Sequence, residues 1–217
     1  MMLDVATPAL ADVRLLDGGY ARETRALLYA SCEGDAVFNY MFEDSRPDYE
    51  ERIKSAVRGL VNQHFLQDLP ALGLFVEDRL LGVALITPPN RRLDITESWA
   101  WRLRMLASTG LECTRRYLDY HEAVITSLPS ATVHVLPLLG FAEDADEAQV
   151  AQLLVAVHDW CAEDEHSDGV ALDTANPRHV QFLERQGYTQ VGEIFLDEAV
   201  GRVLFHPAPA AVAPPAE

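Results

Sequence analysis

A neutral imidazole accepts a proton near pH 7, and the chain carries seven histidines. His134 is the best placed for such work, inside the apolar run Val133–Leu139. His121 beside Glu122 is the second choice for a base, and His179, shortly after Pro177, is the third. Each also has a plain structural reading, as a residue facing a neighbouring element or water. Asn176-Pro177 is a different kind of signal. A helix starting there leaves free N–H groups, which Asn176 can cap, with Pro177 at the first helical position. Asp144 and Asp146 have an Asp-x-Asp look. A calcium loop counted from Asp144 needs glycine at Gln149 and glutamate at Val155, so no metal site is expected. Cys32, Cys113 and Cys161 lie far apart with no CxxC pair. That argues against a disulfide framework or a structural zinc site and suits a reducing cytoplasm. No Ser-His-Asp signature, Walker loop or dinucleotide fingerprint occurs.

These side chains need elements to position them. Val13–Leu16 reads as a strand ending at Asp17-Gly18-Gly19. Apolar residues at helical spacing predict helices over Tyr20–Cys32 and about Asp48–Gln67. Between them, Phe38, Tyr40, Met41 and Phe42 read as an aromatic connection. Gly73–Glu77 and Leu80–Thr87 form a hairpin around Asp78-Arg79, stopped by Pro88-Pro89. Residues 97–128 are helical and broken at Gly110. Thr132–Leu139 is a strand, Glu143 to about Glu163 an amphipathic helix, Gly169–Asp173 a strand and Pro177–Gln186 a helix ending at Gly187. Gln190–Phe195 and Arg202–Phe205 close the chain as strands. The order β-α-α-β-β-α-β-α-β-α-β-β predicts an α/β (α+β) fold, one domain over 1–205 with a mixed central sheet and helices on both faces. The Ala/Pro-rich tail 206–217 is expected to be disordered.

Charge narrows the partners. The formal net charge is −17, a surface that repels phosphate backbones and anionic lipid heads, so neither nucleic acid nor membrane is expected as a partner. No apolar run reaches the roughly 20 residues of a membrane helix, and the N-terminus has no secretory pattern. Residues 119–217 hold only 3 basic residues against 17 acidic ones, so an anionic ligand is expected to meet resistance there.

The stretch Val170-Ala171-Leu172-Asp173-Thr174-Ala175-Asn176-Pro177-Arg178, continuing to Gly187-Tyr188, resembles the last strand–helix unit of the GNAT superfamily of N-acyltransferases. Asn176, Phe182, Glu184, Gly187 and Tyr188 match at the family spacing, followed by Val191-Gly192-Glu193. The resemblance implies a GNAT-like sheet whose strand through Leu139, Gly140 and Phe141 splays from its neighbour and pairs with the pantetheine arm of acetyl-CoA. It implies cofactor contacts at Asn176 and Phe182, although Asn176 also reads as a cap and Phe182 as core. It places Asp146, Glu147, Gln149 and Ala151 where the family carries Gln or Arg and glycines to hold a pyrophosphate. The loop here has no glycine and four carboxylates. A carboxylate about 5 Å from a phosphate charge costs on the order of 3 kcal/mol at an effective dielectric near 20. The same acids suit the first turn of a helix. The family's usual tyrosine acid is replaced by Leu183, so the resemblance leaves Tyr188 as proton donor and His134 as base. Trp99, Trp101, Arg102, Arg104, Arg115, Arg116, Tyr117 and Tyr120 either line an acceptor pocket or form an amphipathic helical pair. The implied function is transfer of acetyl from acetyl-CoA to an amine of a small molecule or peptide, in the cytoplasm, with room for a homodimer. The alternative is a GNAT-shaped binding or regulatory protein that does not use acetyl-CoA.

Overall fold

The computed structural model describes residues 11–91 and 99–209. Strand β1 (Ala11–Leu15) leads through a short 3-10 turn into helix α1 (Ala21–Cys32), α2 (Ala36–Phe42) and α3 (Tyr49–Leu66). The hairpin β2 (Ala71–Val76) and β3 (Arg79–Thr87) follows, then α4 (Trp99–Thr109) and α5 (Leu111–Thr126). Strand β4 (Val133–Phe141), α6 (Glu147–Ala162), β5 (Gly169–Thr174), α7 (Pro177–Arg185), β6 (Thr189–Phe195) and β7 (Val200–Pro207) complete the chain.

Local chemistry explains most boundaries. Gly110 takes φ +89, a left-handed value that ends α4 and starts α5. Asp146 caps α6, and Asn176 caps α7 with Pro177 next to it. Two expectations are corrected. The aromatic connection is helix α2: Asp35 accepts from the N–H groups of Val37 and Phe38, and Val37, Met41 and Phe42 are buried. Seven residues are fewer than the roughly 11 over which a helical apolar period stands out, so the helix is hidden in sequence. The tail begins later than His206, because β7 runs to Pro207 and pairs there with Gly169. Residues 210–217 lie outside the described residues.

The strands form one mixed sheet, ordered β1-β2-β3-β4-β5-β7-β6. All neighbours are antiparallel except β4 and β5. One core lies under α1–α5, around Leu28, Ile53, Trp101 and Leu138. A second lies under α6 and α7, around Leu74, Leu136, Leu154 and Leu204. Leu136 and Leu138 thus serve opposite faces, although residues two apart in a regular strand share one. A bulge is the reason: Val135 pairs Thr87 and Leu138 pairs Leu85, so Leu136 and Pro137 together oppose Ile86. Proline is tolerated at such a point because it has no N–H to give to a ladder.

Candidate active site

The parallel ladder between β4 and β5 holds Val133 to Gly169, His134 to Val170 and Val135 to Ala171, and then stops. Strand β4 continues to Phe141 and β5 to Thr174 without facing each other in the ladder. The strands part just where the bulge begins. Unpaired backbone at such a gap is a row of donors and acceptors available to an extended ligand. At its far end the row is closed by Ser31 of α1, whose Oγ accepts from the Phe141 N–H at 3.0 Å and lies 3.2 Å from its carbonyl oxygen. Gly140 allows this close approach, since a Cβ there would lie 2.6 Å from Ser31 Oγ and 2.9 Å from Leu28. Alternation along the strand turns the N–H and C=O of Leu139 the same way as those of Phe141, toward the gap.

A cavity of about 550 Å³ occupies the gap and extends to α2, α5 and α7. Its polar floor is Asp173, a charged residue at the end of the apolar strand β5. The Tyr120 hydroxyl donates to Asp173 Oδ2 at 2.7 Å. Burial pushes the Asp173 carboxyl up to about 6, aided by the negative charge of Asp35 and opposed by the Tyr120 bond. Asp35 also lines the cavity. Its carboxyl is raised by burial, against the pull of the N–H groups at the start of α2. His179, on the α7 wall, is lowered by burial, while the charge of Asp35 pulls it upward. A second carboxylate near a first favours a cation between them, so this end suits a protonated amine.

The other end meets α6. Asp146 Oδ1 accepts from the Gln149 N–H at 2.8 Å, and the Gln149 side chain accepts from the Asp146 N–H at 3.0 Å, a complete capping box. The cap takes up one donor that an anion would use. Glu143 and Glu147 line the cavity here. The charge is tempered by arginines: Arg79 pairs with Asp144, and Arg185 with Glu147 at 3.0 Å. Arg178 also lines the cavity. The first of these comes from β3, so a charge count of the C-terminal stretch alone overstates the local excess.

Of the residues singled out from sequence, Leu139, Gly140, Phe141, Glu147, Asn176 and Phe182 meet at this cavity. Asn176 caps α7 through the Arg178 N–H at 3.0 Å. Asp146, Gln149 and Ala151 are not on its lining. Neither is His134, which is 1% exposed, with Nδ1 2.9 Å from Ser167 Oγ and its ring edge-on to Trp160. Tyr188 is buried in the α6–α7 core, with its hydroxyl 2.8 Å from His158 Nε2. Of the proposed acceptor residues, Tyr117 and Tyr120 line the cavity. Arg115 and Arg116 pair with Glu112 along α5 instead. The sequence reading passed over Ser31, Asp35 and Asp173. Asp173 carried a usable signal, a carboxylate in an otherwise apolar strand. Ser31 carried none.

No protein-family model and no curated protein matches the chain. Solved structures do match along nearly its whole length. The C-terminal condensation domain of Ebony, solved in complex with beta-alanyl-dopamine, aligns at a TM-score of 0.62 and 14% identity, over 92% of this chain and 99% of that one. A putative acetyltransferase of the GNAT family from Desulfovibrio desulfuricans aligns at 0.55 and 10% identity, over 92% and 100%. AAC(6')-Ib in complex with ribostamycin and coenzyme A aligns at 0.51 and 11% identity, over 91% and 93%. With its parted central strands and element order, the chain has the GNAT-like fold of the N-acyltransferases.

Proposed function

We propose that the protein transfers an acyl group from a thioester of the coenzyme A class to a primary amine. One observation carries this reading: the β4–β5 ladder opens onto a cavity floored by the Tyr120–Asp173 pair. Backbone groups at Leu139 would pair with the amides of an extended pantetheine arm, as a strand pairs with its neighbour. Among similar folds, one was solved with coenzyme A and one with beta-alanyl-dopamine, which supports the two halves of the reading.

The acceptor arrives as an ammonium drawn to Asp35 and Asp173. With its carboxyl near 6, Asp173 is largely ionised at neutral pH and takes a proton from the amine. The freed nitrogen attacks the thioester carbonyl, the C–N bond forms as the nitrogen gives a second proton to solvent, and the C–S bond breaks. The leaving thiolate takes a proton from solvent, since a thiol pKa is about 8.5. A β4 backbone N–H facing the gap is placed to steady the carbonyl oxygen as it gains charge. Acetyl is the acyl group we infer first.

The test is acetyl-CoA with a panel of primary amines, reading free thiol release. Release that depends on both substrates supports the reading, and no release with any amine counts against it.

A second reading is favoured by the capped, carboxylate-lined entrance to α6: a binding protein of the same shape that does not hold coenzyme A. A thermal shift separates the two. A ligand present at 100 times its Kd adds about 2.7 kcal/mol of stability. No shift at millimolar acetyl-CoA favours the binding protein.

A further inference from the structure

Beside the main cavity, lined from α3 and α5, lies a small side cavity of about 30 Å³. The two share Leu60, Tyr117, His121, Val135, Pro137 and Leu138 as walls, so the small one is a side chamber of the large one. Two histidines face it. His64 is 1% exposed, and its Nε2 lies 2.9 Å from the Pro70 carbonyl oxygen. A carbonyl can only accept, so Nε2 carries the proton and Nδ1 holds a lone pair. His64 Nδ1 is buried with no partner, and so is His121 Nε2. Two buried imidazole nitrogens left unpaired beside one small space are a costly arrangement unless something fills it.

The dimensions and chemistry of the space define the occupant. About 10–15 Å³ of such volume holds one water-sized group, so the chamber takes about two or three groups of that size. Apart from the two histidines, Thr87 and Tyr117, the surrounding wall is apolar, with Leu85, Ile125 and Val135 prominent. A carboxylate or phosphate would be stripped of water there and would face a lone pair. An ammonium would be buried without a counter-charge. A neutral hydroxyl meets neither cost. Burial holds the His64 ring down at about 4, so it stays neutral at physiological pH and offers an acceptor, not a cation.

We propose that the side chamber is a hydroxyl subsite, in which one neutral O–H group donates to His64 Nδ1 and rests against His121 Nε2. The O–H belongs to the far end of the amine acceptor or to a bound water. The first source rests on the acyl-transfer reading, and the second does not.

The experiment compares amino alcohols of increasing chain length with alkylamines of matched length, each with acetyl-CoA, in the wild-type chain and in His64→Phe. A site built around a hydroxyl penalises the analogue that lacks it. One amino alcohol should therefore exceed its alkylamine partner in kcat/KM by about tenfold or more. In His64→Phe that ratio should fall to near one. The ratio is an internal control, because loss of folded protein lowers both rates together. His121→Phe supplies a second variant should His64→Phe fail to fold. A preference that persists in both variants overturns the acceptor as the source.

A crystal structure of the wild-type chain reads the subsite without activity. An ordered water within hydrogen-bond distance of both ring nitrogens, with matched acceptors used equally, assigns the O–H to water. An empty chamber with matched acceptors used equally overturns the subsite. Absence of any transfer fails the acyl-transfer reading, and the water density then still decides the subsite.

Discussion

The two halves of β4 have nearly the same apolar character and opposite uses. Val133–Val135 is paired with β5, and its one reactive side chain, His134, is sealed against Trp160 and Ser167. Leu138–Phe141 offers no reactive side chain, yet borders the cavity along its whole length. The bulge at Leu136-Pro137 separates them. Where β5 covers the edge of β4, the backbone groups on that edge are spent, so only side chains remain for chemistry there. Where β5 has parted, the edge keeps a row of oriented amides, which can bind a ligand whatever the side chains are. Residue type is therefore a poor guide to function along this strand, and pairing is a good one.

The comparison breaks most sharply at Asp173, which faces the open half. Asp173→Asn should lower kcat by roughly 10²–10⁴, the range for losing a general base. The thermal shift given by the donor should stay as it is in the unaltered chain. A kcat within threefold would place the chemistry elsewhere. The same substitution also tests the carboxyl's burial. Its folded value, about 6, is above the ~3.9 of an unfolded aspartate. Ionisation thus penalises the folded state, and stability falls as pH rises from the unfolded value through the folded one. Asp173→Asn should stabilise the fold at about pH 7.5 and not at about pH 3.5, as read by thermal unfolding.

Next in size is Gly140→Val. Its side chain would press on Ser31 and Leu28, where a Cβ already falls below 3.0 Å. Overpacking of this kind costs about 1–3 kcal/mol, measured by urea denaturation. It should also narrow the open half and raise the donor's KM. Unchanged stability would mean that α1 yields at no cost.

Tyr120→Phe removes the bond that holds the Asp173 carboxyl down. The carboxyl should then ionise at higher pH. The acid limb of the kcat/KM profile is expected to move upward, with a modest loss of rate at neutral pH. A limb that moves down, or not at all, would detach Asp173 from that limb.

The smallest effect on activity is expected in the paired half. His134→Asn should leave kcat where it was and lower stability by about 1–3 kcal/mol, through lost packing on Trp160 and a lost or weakened bond to Ser167. A large fall in kcat with normal stability would restore His134 as the base.

Most elements were legible because their signals are local. Asn176-Pro177 marks a helix start, Gly110 a break and Pro88-Pro89 a strand end, each through the backbone freedom of a few neighbouring residues. Apolar spacing set the helices, because one face of each had to leave water. The resemblance across Val170–Tyr188 was also local and led to the right fold. Helix α2 was lost because it is shorter than the window over which a helical period stands out.

The site was less legible. The sequence by itself determined which residues were chemically able: the carboxylates, the histidines, the caps, and an acidic turn before α6. Only the tertiary structure decided which of them share a space. It put Arg79 on Asp144 across 65 residues and Tyr120 on Asp173 across 53. It turned His134 and Tyr188 into core residues, and brought His64 beside His121. The physical reason is that proximity, burial and ladder pairing are set by how β3, β4 and β5 stack against their helices. A linear pattern of residue types carries no distance between strands.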